Sequence, residues 1–235
     1  MDTNKPDFEL CFLNYDLAAI RGVQDTIYIN GFTELLVEQG VGTFEAAAIA
    51  AAACGRMSSV KLHYHTPLHV LSMFGFAQHN KIELTADEEL ILWMHDIIYD
   101  ETMPSGRNER LSAKLSEALL NGYVSQTVIK FVSSGIVTTA QHLEDSVPIG
   151  FQKIMDLDVS TFAWPDHLRI VARENIRLEY LEATDKQYHQ GSLAFLKKLI
   201  EKGYVYRTEF FVNNFEELAM KNILAEIEEH ENALR

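Results

Sequence analysis

Apolar residues recur along this chain at helical spacing, and almost nowhere in the strict alternation of a half-buried strand. Residues from about 7 to 39 predict one or two helices that stop at Gly40. Thr43 is placed to cap an alanine-rich helix, AAAIAAAAC, whose small side chains let a neighbouring helix approach closely. Thr66 followed by Pro67 predicts the N-cap and first position of a helix through VLSMFGFA, and Thr85 with Glu88 predicts a capping box for the helix after it. DETMPSGRN reads as a loop. Leu111, Leu115, Ala118 and Leu119 outline a helix closed at Asn121-Gly122, and Val128, Val132, Ile136 and Thr139 outline the next. Pro148 opens a further helix, Asp166 caps one, Gly191 interrupts or separates one, and Asn214 with Glu217 begins the last. The expectation is an all-α protein of about ten helices in a single domain over residues 1–235. It has N-terminal helices at about 7–58, a metal-binding core at about 60–165 and C-terminal helices at about 166–235.

The stretch WMHDIIYD raises the question of chemistry. Leu90, Met94, Ile97 and Ile98 share one helix face, and Trp93 and Ile91 widen it until the predicted helix is apolar almost all round, hence buried. Into that setting the sequence puts His95 and Asp96. A buried carboxylate without a partner costs several kcal/mol, so Asp96 requires a cation, a metal or strong donors beside it. His63, His65 and His69 crowd the start of the helix at Pro67, where the positive end of the helix dipole favours an anion and holds His69 in the neutral form that a metal needs. Asp156 and Asp158 lie about 200° apart around a helix and cannot both face one ion. Phe151, Met155, Asp158 and Phe162 fall on an apolar stripe, whereas Asp156 aligns with Gln152, Lys153 and Ser160, so Asp158 is expected to be the second buried acid. Two acids and at least two histidines make a nitrogen and oxygen set that Mn, Fe, Zn or Mg accepts. A buried salt-bridge cluster is the competing explanation. It needs an arginine or lysine inside these faces, and neither WMHDIIYD nor VLSMFGFA has one.

Composition narrows the partners. The formal charge of −14, from 20 Lys and Arg against 34 Asp and Glu, opposes binding to nucleic-acid phosphates and favours a small substrate. No uncharged apolar run of about 18 residues occurs, and MDTNKPDFEL lacks a basic segment leading into an apolar one, so no membrane partner and a cytoplasmic location are expected. Cys11 and Cys54, without CxxC spacing, read as reduced packing residues.

The series Tyr64-His65-Thr66-Pro67-Leu68-His69, His95-Asp96 and Asp156-Leu157-Asp158 resembles the H…HD…D signature of the HD-domain metal-dependent phosphohydrolases. More closely, it resembles a bacterial branch of predicted HD phosphohydrolases with YHN-like, W-x-HD-x-x-YD, NE-x-x-SA and R-x-EY boxes. These stand here as YHTPLH, WMHDIIYD, NERLSA and RLEY, with Thr66 where the first box carries Asn. The resemblance spans about residues 60 to 225. It implies an HD helical bundle with His69, His95, Asp96 and Asp158 as ligands of a divalent ion (Mn, Fe, Zn, Ni or Mg), Asp96 being part of the catalytic centre. It also implies a metal-activated hydroxide as nucleophile and a phosphate ester or nucleotide-like substrate. By a further similarity to cyclic-nucleotide phosphodiesterases, His65 is the general acid. His142 is a candidate for a second ion and otherwise a loop histidine. Glu109 either orients a ligand from behind or complements a helix dipole. Arg177 sits in the RLEY box and is a candidate for substrate phosphate, whereas Arg169 and Arg173 read as partners of surface acids. Tyr204 and Tyr206 either stack on a base or pack in the core. Two rival functions stay open, a di-iron oxygenase and a non-catalytic metal or nucleotide sensor.

Overall fold

Local capping and apolar periodicity produce ten α-helices and no strand among residues 21–235, which the computed structural model describes. The residues of the first predicted helix that precede 21, and Cys11 with them, lie outside the described residues. The chain divides into two compact units, with the boundary between Ala140 and Gln141.

The first unit contains α1 (Arg21–Glu38), α2 (Thr43–Met57), α3 (Pro67–His79), α4 (Ala86–Met94), α5 (Arg107–Leu120) and α6 (Gln126–Thr138). α2 turns Ala46, Ala50 and Ala53 inward against α1, which is the close approach that its alanines permit. Trp93 of α4 anchors the core. Its ring stacks on Phe32 at 5.5 Å, meets Tyr28 edge-on at 4.8 Å and lies 4.5 Å from Phe74. Such aromatic pairs add about 0.5–1.5 kcal/mol each beyond the area they bury. α4 starts at the predicted capping box. Thr85 Oγ1 accepts from the Glu88 N–H at 3.3 Å, and the Glu88 carboxylate accepts from the Thr85 N–H at 2.8 Å.

The other end of α4 differs from expectation. WMHDIIYD is not one helix, since α4 stops at Met94 with His95 as its C-cap. The backbone beyond is captured by α5. Ile98 N–H donates to Ser112 Oγ at 3.0 Å while that hydroxyl donates to Ile98 O at 3.2 Å. Asp100 N–H donates to Asn108 Oδ1 at 3.2 Å, and Asn108 Nδ2 donates to Asp100 O at 3.1 Å. These side chains supply the partners that a continuing helix would have supplied.

The second unit holds α7 (Ile149–Asp158), α8 (Asp166–Glu179), α9 (Asp185–Lys202) and α10 (Glu209–Ala233), with a 3-10 turn at Ser160–Ala163 packed on α10. Asn222 Nδ2 donates to Phe162 O at 2.7 Å and fixes that contact. Several expected boundaries move. Thr43 and Asp166 are first helical residues rather than caps, behind Gly42 and Pro165. Gly191 runs inside α9 without a break, and the real stop is Gly203, whose φ of +83° suits a residue with no Cβ. α10 begins at Glu209, not at Asn214. Phe211 is buried there, and the Asn214 amide bonds back to Phe210 O at 2.7 Å from inside the helix. Arg173 pairs with the exposed Glu229, but Arg169, expected to pair with surface acids, is buried and meets Glu226, which is itself largely covered. Among the described residues, no helix is long and apolar enough to cross a membrane.

Cys54 packs inside α2, and burial pushes its thiol up to about 12 from an ordinary 9.0. Alkylation proceeds through the thiolate, so in a Cys11→Ser background Cys54 is expected to react at pH 8 roughly a thousandfold more slowly folded than in urea. Equal rates in the two states, read by mass spectrometry, would show that the thiol is not buried.

Candidate metal centre

The end of α4 is what makes a site in the first unit. His95, the C-cap of α4, keeps helical dihedrals (φ −64°, ψ −36°), and its ring meets the carboxylate of the next residue, Asp96, just where the regular helix stops at Met94. His95 Nδ1 lies 2.9 Å from Leu92 O. A carbonyl oxygen only accepts, so Nδ1 carries a proton, and in the neutral form of the ring the lone pair is at Nε2. That Nε2 is 3.4 Å from His69 Nε2 and 3.1 Å from Asp96 Oδ2, and His69 Nε2 is 3.7 Å from the same oxygen. His69 and His95 are 2% and 1% exposed and Asp96 9%, so three donor atoms form a nearly closed triangle out of water.

The triangle fits a metal ion. Donors about 2.1 Å from one ion stand about 3.0 Å apart at right angles and about 3.4 Å apart in a tetrahedron. The observed edges of 3.1, 3.4 and 3.7 Å lie at or just beyond those values. A His95 imidazolium donating from Nδ1 to Leu92 O and from Nε2 to Asp96 also suits the 3.1 Å contact, and it responds differently to a chelator. Around the triangle, Tyr64 packs on His69 with ring centroids 4.7 Å apart, and the His65 ring lies 5.9 Å from that of His69. His65 stacks on Tyr99 at 3.5 Å. His63 is half-buried, and Glu109 stands half-buried in the first turn of α5.

In the second unit His142 Nε2 approaches Asp158 Oδ2 at 3.1 Å. The His142 carbonyl is gripped by Lys202 Nζ at 2.9 Å and Arg207 Nη2 at 3.1 Å. Asp158 is partly buried and carries a donor of the kind a metal accepts. The assignment of the two acids by helical phase is corrected here. Asp156, expected on a polar face, is the fully buried one, and Asp158 is only partly so. α7 ends at Asp158, so Phe162 belongs to the following 3-10 turn and the supposed stripe is not continuous. Asp156 is tolerated inside because it accepts from Arg207 N–H at 2.8 Å, Thr208 N–H at 2.8 Å and Thr208 Oγ1 at 2.7 Å, which caps α10 from a distance. Burial nevertheless holds its carboxyl above the ordinary 3.8.

Arg177 is engaged in the turn between α8 and α9. Its guanidinium donates to Asp185 at 2.6 Å, Tyr180 O at 2.8 Å and Ala183 O at 3.2 Å, and it lies 5.1 Å from the centre of the Tyr188 ring. That pairing holds the Asp185 carboxyl below its usual range. Tyr206 is core, and Tyr204 carries the Lys202 ammonium over its ring at 4.2 Å. Reading the sequence alone missed Tyr99, Asn108 and Ser112, although the NE-x-x-SA box contains two of the three. No family model matches the chain, and a comparison with curated proteins finds no match.

Asp156 and Asp158 should separate by experiment. Asp156→Ala strands two backbone N–H groups and is expected to lower the unfolding free energy by about 2–4 kcal/mol in urea, with metal content unchanged. Because the folded pKa is raised, the stability contributed by the protonated Asp156 carboxyl is fully present below pH 3.8 and is lost as pH rises through the folded value, a slope that Asp156→Asn should remove. A wild-type stability with no such slope relative to Asp156→Asn would contradict the assignment.

Proposed function

We propose that the chain is a metal-dependent phosphohydrolase of the HD type, acting on a small phosphate ester or nucleotide-like molecule. The observation that carries this reading is the buried triangle of His69 Nε2, His95 Nε2 and Asp96 Oδ2, with edges that suit one divalent ion. An ion bound there would supply Lewis acidity, lowering the pKa of a water molecule and neutralising charge on phosphoryl oxygens.

The residues take the remaining work. His69, His95 and Asp96 would hold the ion in water-poor surroundings, and the Leu92 carbonyl favours the His95 tautomer whose Nε2 can ligate. Asp158 is proposed as a further ligand on the H…HD…D pattern, and His142 as its support through the 3.1 Å contact. His65 is the proton donor to the leaving oxygen, close to the triangle yet partly open to solvent. Thr66 makes no side-chain cap on α3, so the positive end of that helix is left to favour a substrate anion.

Purified protein is expected to carry about one or two divalent ions per chain, removable by chelator, with thermal stability regained on re-addition. His69→Ala, His95→Ala, Asp96→Asn and Asp158→Ala should each lose the ion. His65→Ala should keep it and lose roughly 10²–10⁴-fold in rate on alkyl phosphate esters, with a smaller loss on nitrophenyl esters, whose leaving group needs no proton. Elemental analysis without metal, and no stability shift with Mn, Fe, Zn, Ni or Mg, would leave the triangle as an imidazolium–carboxylate pair. Dioxygen uptake without phosphate release would favour an oxygenase, and bound metal without any turnover a sensor.

A further inference from the structure

Tyr99 sits between two backbone positions that α5 holds on both their donor and acceptor sides. Ser112 satisfies the N–H and C=O of Ile98, and Asn108 satisfies those of Asp100. The far flank is closed as well. The Asp100 carboxylate accepts from Thr102 N–H at 2.9 Å and Thr102 Oγ1 at 2.6 Å, which holds its carboxyl below the usual range. A residue pinned on each side in this way has little freedom to redirect its Cα–Cβ bond. Its ring therefore faces a fixed direction, and what it faces is His65, with centroids 3.5 Å apart and planes 14° from parallel.

His65 stands in the turn immediately before Thr66, the N-cap of α3, and its side chain is only partly buried. Its ring is nevertheless held 5.9 Å from that of His69. We propose that Tyr99 is a positioning residue, a platform set by Asn108 and Ser112 that holds the His65 imidazole in the orientation from which it serves the reaction. The catalytic half of this inference rests on the phosphohydrolase reading, and the platform half rests on the stacking and hydrogen bonds alone. It gives the conjunction of the W-x-HD-x-x-YD and NE-x-x-SA segments a single mechanical meaning. One carries the donors and the ring, and the other pins the backbone between them.

Two measurements test the two halves separately. In proton NMR of the full chain, with His65 assigned by comparison with His65→Gln, the ring current of Tyr99 should shift the imidazole carbon-bound protons upfield. Tyr99→Leu should abolish that shift, Tyr99→Phe should keep it, and Asn108→Ala should reduce it. Imidazole resonances that stay put in Tyr99→Leu, in a protein whose circular dichroism is unchanged, would overturn the platform. In the kinetic arm, Tyr99→Leu should lower kcat on alkyl phosphate esters by roughly 10- to 100-fold, with KM and metal content held, while nitrophenyl esters are spared and Tyr99→Phe behaves as wild type. The double variant His65→Ala/Tyr99→Leu should be no slower than His65→Ala, because a platform without its load has nothing left to lose. Additive losses would overturn the positioning role. A wild-type protein that releases phosphate from no ester would instead sink the phosphohydrolase reading, and the NMR arm would still decide the platform.

Discussion

The backbone leaves the helix of α4 after Met94, and at that point His95, the C-cap, brings its Nε2 to 3.1 Å from the Asp96 carboxylate. Leaving has a cost, because the last carbonyls of a helix and the amides beyond it lose their regular partners inside an apolar core. The protein meets each demand with a named group. Leu92 O is taken by His95 Nδ1, Trp93 O by the Tyr28 hydroxyl, the Ile98 groups by Ser112 and the Asp100 groups by Asn108. The placement of Tyr99, between the pinned residues Ile98 and Asp100 and against His65, follows from this termination.

The same termination explains why His95 presents the nitrogen it does. A histidine at a helix C-cap has a carbonyl within reach of Nδ1, and bonding it leaves Nε2 facing away from the helix toward His69. Capping the helix and preparing a ligand are thus one act. Trp93, two residues earlier, packs on Tyr28, Phe32 and Phe74 and keeps α4 from shifting along its axis. Because packed cores resist small displacements, that anchoring holds the triangle to distances an ion can use.

Local signals were legible in the sequence where both partners lie within one turn. The Thr85 and Glu88 capping box, the Asn121-Gly122 stop and the burial of Leu90 to Met94 could be read directly and are present. That Asp96 needs a partner was legible too, because an acid in so apolar a stretch demands one, whereas the set of His69, His95, Asp96 and Asp158 came from the family resemblance alone. What escaped was every feature decided by distant residues. The end of α4 depends on Asn108 and Ser112 in α5. The burial of Asp156 depends on amides at Arg207 and Thr208, some 50 positions on, and no window of helical phase contains them. Gly191 misled for a related reason: its cost of about 1 kcal/mol inside a helix is offset by a capping box at Thr184 and Gln187 and by packing against α10, neither of which lies beside it.

Asp156 and Asp96 show how one side chain type acquires opposite meanings. Both are buried, and burial alone makes either a suspect for chemistry. The decisive difference is what satisfies the charge. Asp156 is met by three protein donors, two of them at a helix start, and its lone pairs are spent on architecture. Asp96 has imidazole nitrogens at 3.1 and 3.7 Å, and the nearer belongs to a ring whose other nitrogen already donates to a carbonyl. If both rings are neutral with His95 protonated at Nδ1, the 3.1 Å contact sets a lone pair against a carboxylate, which is tolerable only with a cation between them. Either an added proton or a metal ion answers that demand. A proton satisfies one edge of the triangle, whereas a divalent ion could satisfy all three at once, so the geometry is one that could hold a metal ion.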